Sequence, residues 1–405
     1  MATAPDRSYD LVVFGATSFV GQILTSRLVE QAPGDLRWAI AGRDSVKLAD
    51  VAAATGADVD QVVADAGDHD AMDALAASTR VVVSTVGPYA LYGSPLVAAV
   101  ARAGTDYCDL TGEPQWMRAM IDAHHGTATR TGARIVHACG FDSIPSDLGV
   151  WFTQRQAIER FGVPCTSISF RLKAAKGGAS GGTIASGLNL IEEARHDPSL
   201  RAMLGNPYAL APEGMRSGPK QPNVTMPQRD PASGEWVAPF VMAATNTRVV
   251  QRTHALLGRP WGDGFEYDEA MLVGDGPVGA LKAAGVAGGM AGFAGAAAFG
   301  PTRAVLRKLL PAPGEGPSAR AQEEGFFDVR LFGRTGGGDE IVTRVTGDRD
   351  PGYGSTAKML AQAALAFLDV DHDQVGGGLW TPATAFGDLL IDRLVAHAGL
   401  TFDVL

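Results

Sequence analysis

Tyr9-Asp-Leu-Val-Val-Phe-Gly-Ala-Thr-Ser-Phe-Val-Gly21 decides the fold. Residues 9–14 are a short apolar run, residues 15–21 form a glycine-bracketed turn, and residues 20–31 carry Leu24, Leu28 and Val29 at helical spacing. Strand, glycine turn and helix in that order open a parallel βαβ unit, and the same alternation continues downstream. Strand-like runs at 36–41, 61–64, 81–83, 105–110 and 134–138 alternate with helical patterns at 45–55, 69–77, 95–103 and 116–131, with Ser45 as an N-cap candidate. Six candidate strands make a doubly wound Rossmann domain over residues 1–145.

Beyond Gly140 the rhythm changes. Residues 144–161 read as helix, and 166–175 alternate Ile168, Phe170 and Leu172 like a strand with one wet face. A glycine-rich turn at 177–182 precedes a helical pattern at 183–195, and 198–239 is rich in Pro, Gly and Asn and reads as a long loop. Strand candidates at 265–272, 326–332 and 340–346, with helices at 356–367 and 386–397, predict a second α+β domain over residues 146–405 with a mostly antiparallel sheet. Its C-terminal helices have the option of packing back on the Rossmann domain.

The chain has 405 residues, 46% hydrophobic and 19% charged, enough apolar material for two cores and too little charge for disorder. Its net charge of −10 argues against phosphate-backbone binding, so nucleic acid is not an expected partner. Three scattered cysteines, Cys108, Cys139 and Cys165, build neither a disulfide framework nor a zinc site, and no signal-peptide pattern opens the chain, so a cytoplasmic setting is expected. Residues 278–299 are mostly Ala, Gly and Val with Lys282 as the only charge. That segment is long enough to span a bilayer, yet its glycines weaken a helix. A buried or dimer-packing element, a peripheral membrane contact and a true span are the three readings.

The turn supplies chemistry as well as topology. At Gly15, Thr17, Ser18, Phe19, Val20 and Gly21 the backbone can approach a pyrophosphate, and the helix N-terminus offers free N–H groups and the positive dipole end. Ser18 stands where glycine is commoner. At the end of the second strand an acid would bind ribose hydroxyls, whereas this chain has Gly42-Arg43 followed by Lys47, which favours the extra phosphate of NADPH. Asp65, after the third strand, is a candidate for the adenine edge. Thr85, Val86, Gly87 and Pro88 end the fourth strand and can offer backbone contacts to the nicotinamide-side ribose.

Taken together, Gly15-Ala-Thr-Ser-Phe-Val-Gly21, Ala41-Gly-Arg43, Val86-Gly-Pro-Tyr89, Tyr107-Cys-Asp-Leu-Thr-Gly-Glu113 and Gly140-Phe-Asp-Ser-Ile-Pro-Ser-Asp147 resemble the saccharopine dehydrogenase-like family. More narrowly, Ala238-Pro-Phe-Val-Met242, Asn246-Thr-Arg-Val-Val250, Gly352-Tyr-Gly-Ser-Thr-Ala-Lys-Met359 and Trp380-Thr-Pro382 resemble its actinobacterial branch of trans-acting enoyl reductases. The resemblance covers nearly the whole chain. It implies an NADP-type Rossmann domain, an α+β second domain, and reduction of a carbon–carbon double bond on an acyl chain carried by a partner polyketide synthase.

Such a reduction needs hydride at the β-carbon, a donor polarising the thioester carbonyl, and a proton for the α-carbon. Tyr89, Tyr107, Glu113 and Asp142 are the candidate groups, since all follow strand C-termini where a nicotinamide projects. The expected ligand is an acyl thioester or lipid-like substrate, and a homodimer is expected. Two other readings stay open: a dehydrogenase of amino-acid or imine substrates, with Arg171, Arg248 and Arg252 for carboxylates, and a lipid-associated nucleotide-binding protein without turnover. Gly178-Ala-Ser-Gly-Gly182 matches a nucleophile-elbow pattern but leaves the dinucleotide signal unused. Tyr353 and Lys358 are one residue too far apart for a Tyr-x-x-x-Lys pair. His124, His125 and the His137-x-Cys139 pair do not make a metal set, so none is expected.

Overall fold

The computed structural model describes residues 7–177, 189–190, 192–299, 301–302 and 316–405. The chain divides into two compact units, the first made of the described residues of Met1–Thr111, Trp116–Gly140 and Thr356–Ala398.

The N-terminal part alternates strand and helix: β1 (Tyr9–Phe14), α1 (Phe19–Gln31), β2 (Trp38–Gly42), α2 (Ser45–Thr55), β3 (Asp60–Val63), α3 (His69–Ser78), β4 (Thr79–Ser84), α4 (Tyr89–Tyr92), α5 (Ser94–Ala103), β5 (Asp106–Asp109), α6 (Pro114–Thr131) and β6 (Arg134–Val136). The apolar runs are buried on both faces, as parallel strands require: Leu11, Val12 and Val13 of β1 and Val81, Val82 and Val83 of β4 are fully enclosed. All described pairings in this sheet are parallel, and β1 lies between β2 and β4. The sheet therefore reverses its winding between β1 and β4, the switch point at which doubly wound sheets bind ligands at their carboxyl ends. Asp44, not Ser45, caps α2, its carboxylate accepting from the N–H groups of Val46 and Lys47.

The second unit contains α7 (Ile144–Phe161), β7 (Cys165–Lys176), α8 (Pro198–Gly205), β8 (Gln228–Arg229), β9 (Trp236–Pro239), α9 (Ala243–Leu256), β10 (Glu266–Gly274), α10 (Gly276–Ala298), α11 (Ala319–Glu323), β11 (Phe326–Thr335) and β12 (Glu340–Gly347). The stretch expected as one long loop, 198–239, thus holds a helix and two short strands. The sheet is mixed: β10 pairs parallel to β7, Glu266 opposite Ser167, while β11 runs antiparallel to both β7 and β12. Alternation in β11 and β12 puts Val329, Leu331, Ile341 and Val345 in the core against α7 and leaves Arg330 and Arg344 to grip Asp328 on the other face. The glycine-rich turn and nucleophile-elbow pattern at 178–182, and most of the helix expected at 183–195, lie outside the described residues.

α10 covers the alanine- and glycine-rich segment. Only Gly279, Ala283 and Ala297 are buried along it, while Val278, Leu281, Phe293 and the following Phe299 face outward, Leu281 being 75% exposed. Among the described residues, no helix is long and apolar enough to cross a membrane.

The chain then returns to the first unit. α12 (Thr356–Asp369) packs on α1, β4 and β5, β13 (Gly378–Trp380) adds a seventh parallel strand beside β6, and α13 (Pro382–His397) packs on α12. The last strand, β14 (Leu400–Val404), pairs with β12 in the second unit. Arg134 locks the returned segment: it meets Asp106 through Nε at 3.0 Å and Nη2 at 2.5 Å, and donates to the carbonyls of Phe367 at 2.9 Å and Val370 at 2.6 Å.

Candidate active site

The loop after β1 is shaped by what cannot stand in it. Gly15 has φ of +89°, and a Cβ there would meet Val86 Cγ2 at 2.7 Å and Thr85 Oγ1 at 2.8 Å. A Cβ at Gly21 would collide with the carbonyl of Gly15 and the backbone of Ala16. Side chains at either position would force the loop off the sheet. Ser18, the departure from the commoner glycine, is the N-cap of α1: its Oγ accepts from Gly21 N–H at 2.9 Å and lies 2.9 Å from Thr85 Oγ1. Thr85 in turn donates to the Gly15 carbonyl at 2.9 Å. The loops after β1 and β4 are thereby bolted together at the switch point, with Thr17, Phe19 and Val20 at the opening of the helix and Val86, Gly87 and Pro88, whose Gly87–Pro88 bond is cis, along the neighbouring edge. This cradle of close backbone at the opening of a helix fits a pyrophosphate.

At the carboxyl end of β2, Gly42 is buried while Arg43 and Lys47 are exposed. Neither cation has an acidic partner among the described residues, unlike Arg37 and Arg80, which share Asp10. Asp65, beyond β3, is exposed and folds an Asx turn, accepting from Gly67 N–H at 2.8 Å. A cavity of about 610 Å³ lies at the opposite, amino-terminal edge, lined by Tyr9, Val29, Arg37, Trp38 and Asp60, and contains none of these residues.

On the β4–β5–β6 side the tyrosines are interior groups. Tyr89 is buried, donates its hydroxyl to the Ser84 carbonyl at 2.9 Å and stacks at a tilt on Trp116. Tyr107 is fully enclosed within β5; burial first, then the Asp109 carboxylate, hold its phenol well above its ordinary range. In both, the hydroxyl faces protein interior.

Sequence reasoning passed over a pair on the same edge. Tyr107 pairs with Ile135 and Cys108 with Val136, so the register carries on to Asp109 and His137. His137 Nδ1 lies 2.7 Å from Asp109 Oδ2, while Asp109 Oδ1 accepts from the N–H groups of Thr111 and Ala138, each at 3.0 Å. The signal was available once β5 and β6 were recognised as neighbours, because both residues directly follow the buried part of their strands.

In the second unit, Glu113 is buried. Asp142 lies against Gly112, whose added Cβ would come within 3.2 Å of its Oδ2, and burial pushes its carboxyl up to about 6. Nearby along the chain, Ser143 donates to Asn246 Oδ1 at 3.1 Å, Asn246 Nδ2 donates to Glu269 at 2.9 Å, and the Tyr267 hydroxyl donates to Glu269 at 2.6 Å. Burial raises Glu269 to about 7 against the opposing pull of these donors. Arg171, considered above for a substrate carboxylate, is committed to Asp230 and Asp268 at 2.7 and 2.8 Å, and Arg248 donates to the carbonyls of Ala244 and Leu204. Among the described residues no cluster of metal-ligating side chains occurs.

Comparison with known proteins places this arrangement. No family model matches the chain. A Mycobacterium tuberculosis protein named "Putative trans-acting enoyl reductase" is 42% identical over 408 residues, covering 97% of each chain. Trans-acting enoyl reductases of Mycobacterium bovis and Mycobacterium leprae are 38% and 36% identical, each over 96% of this chain and 96–97% of their own. In three dimensions the chain is similar to saccharopine dehydrogenase (L-Glu forming) of Saccharomyces cerevisiae, with a TM-score of 0.54 at 12% identity over 98% of this chain and 100% of the other. It is also similar to a homospermidine synthase of Legionella pneumophila, solved with NAD, with a TM-score of 0.52 at 9% identity over 98% and 91%. The chain belongs to the trans-acting enoyl reductase family, on a saccharopine dehydrogenase-like fold, and is an oxidoreductase.

Proposed function

We propose that the protein is an NADPH-dependent enoyl reductase that saturates the carbon–carbon double bond of an acyl chain presented as a thioester by a partner polyketide synthase. The substrate class rests on the family's name. The nucleotide rests on one observation: Arg43 and Lys47 stand exposed and without an acid partner among the described residues at the end of β2, where an adenosine 2′-phosphate is read. The bound cofactor supplies the hydride. Gly15, Ser18 and Gly21 hold the pyrophosphate, Arg43 and Lys47 the 2′-phosphate, and the loop at 85–88 the nicotinamide-side ribose. Tyr89, Tyr107, Glu113 and Asp142, which follow strand C-termini in the sequence, are the side chains to be tested for the proton. Outward-facing α10 offers the apolar surface for a synthase, a second copy of the chain or a membrane edge.

Titration of the purified protein with NADPH and NADH, followed by nicotinamide fluorescence, tests the reading. Arg43→Ala is expected to weaken NADPH by about 10- to 100-fold, the value of one charge-assisted contact, and to leave NADH nearly unchanged. Equal weakening of both nucleotides, or binding of neither by the wild type, overturns it.

A further inference from the structure

The Asp109–His137 pair has three features that a structural strut does not need. The first is an orphaned atom: His137 is 5% exposed, its Nδ1 is taken by Asp109, and its buried Nε2 has no partner among the described residues. The Tyr107 ring meets His137 edge-on at 6.0 Å, and the Trp116 ring meets it edge-on at 4.9 Å. A polar atom left bare in a core costs on the order of 1–3 kcal/mol.

The second is backbone strain. Ala138 has φ of +61°, one of two non-glycine residues in the left-handed region among those described. It is held there by its N–H bond to Asp109 Oδ1 and by the bond from Cys139 N–H to the Asp109 carbonyl at 2.7 Å. Strain that a carboxylate maintains next to an imidazole points to a role for the imidazole's placement.

The third is position. The pair closes the carboxyl edge at β5 and β6. Arg43 marks the adenosine end on β2, so β4, β5 and β6 lie on the other side of the switch point, the side that takes the nicotinamide.

We propose that Asp109–His137 is the proton-supplying pair of this site, deepening the reductase reading and resting on it. Asp109 holds the imidazole by Nδ1 and so fixes its orientation. In the balanced reaction the β-carbon gains hydride from the reduced nicotinamide as the C=C π bond opens, and the α-carbon takes one proton. That proton leaves His137 Nε2, breaking its N–H bond, and passes through a water bound at Nε2; the imidazole is then reprotonated through the same water. His137 is a positioning residue that charges this water and does not itself touch the substrate.

The test uses the full chain with 15N-labelled histidine and, as substrate, a crotonyl-pantetheine thioester. His137→Gln identifies the His137 resonances by their loss. In the wild type, addition of NADP+ is expected to shift the His137 Nε2 resonance. In His137→Gln and Asp109→Asn, kcat falls by about 100-fold or more with KM and NADPH fluorescence within twofold. A His137 resonance indifferent to NADP+, or a variant that keeps the wild-type kcat, overturns the pair's role while the reductase reading stands. A wild type that shows the NADP+-dependent shift but reduces no thioester overturns the thioester reading and leaves the pair in place.

Discussion

The Ser18 and Thr85 hydroxyls lie 2.9 Å apart, and Ser18 also caps α1, so one side chain joins two loops and a helix terminus. Ser18→Ala is expected to cost about 1 kcal/mol of stability, the usual loss of an N-cap, and to weaken nucleotide binding. Ser18→Gly should cost only a few tenths, since glycine is itself an acceptable cap. Urea unfolding and nicotinamide fluorescence on the two variants give the comparison.

Gly21→Ala places a methyl group into the Gly15 carbonyl, a backbone atom that cannot swing aside. The loop must lift, at a cost of about 1–3 kcal/mol, and nucleotide affinity should fall by at least about 100-fold. Titration calorimetry with NADPH shows whether the cradle survives.

Arg134→Met removes a guanidinium from a buried pair with Asp106, leaving the carboxylate its bond from the residue-134 backbone N–H but no cation, and takes the guanidinium donor from two carbonyls. The expected loss is about 3–5 kcal/mol, measured as a fall in the urea midpoint with the slope preserved. The double variant Arg134→Met, Asp106→Leu should recover much of it, since no charge is then stranded.

Glu269 gives the stability curve a pH slope. Burial raises its carboxyl to about 7, so between the unfolded value near 4.5 and about 7 the folded chain binds more protons than the unfolded one. Stability therefore falls as pH rises through that window, by on the order of 2–3 kcal/mol from this group. Glu269→Gln should flatten the difference between pH 5 and pH 8 in urea unfolding, and an unchanged slope would count against this assignment.

The first sheet could be read from sequence because its signals are local: Leu11–Val13 and Val81–Val83 are continuous apolar runs, and each is followed by a glycine turn or a capped helix. Gly378–Trp380 was not legible. Three residues carry no period, and the partner β6 lies over two hundred positions earlier. The parallel pairing of β10 with β7 was hidden likewise, because alternation marks which face is wet and says nothing of strand direction. α9 was missed as a helix because Asn246, Arg248, Gln251 and Arg252 are polar yet buried, which erases the amphipathic contrast. In the candidate site, the glycine turn after β1 and the cations after β2 are local signals in the sequence. Asp109 and His137 did not, since only the register brings them together.

The return of residues 356–398 has a consequence for how the protein is born. At about 5–20 residues per second, the two hundred or so residues between Gly140 and Thr356 take a ribosome roughly 10–40 s to make. Throughout that interval β6 is an open edge and the faces of β4 and β5 that receive α12 are uncovered. The first unit of the nascent chain therefore stays unfinished, with apolar faces open, until residues 356–398 have been made.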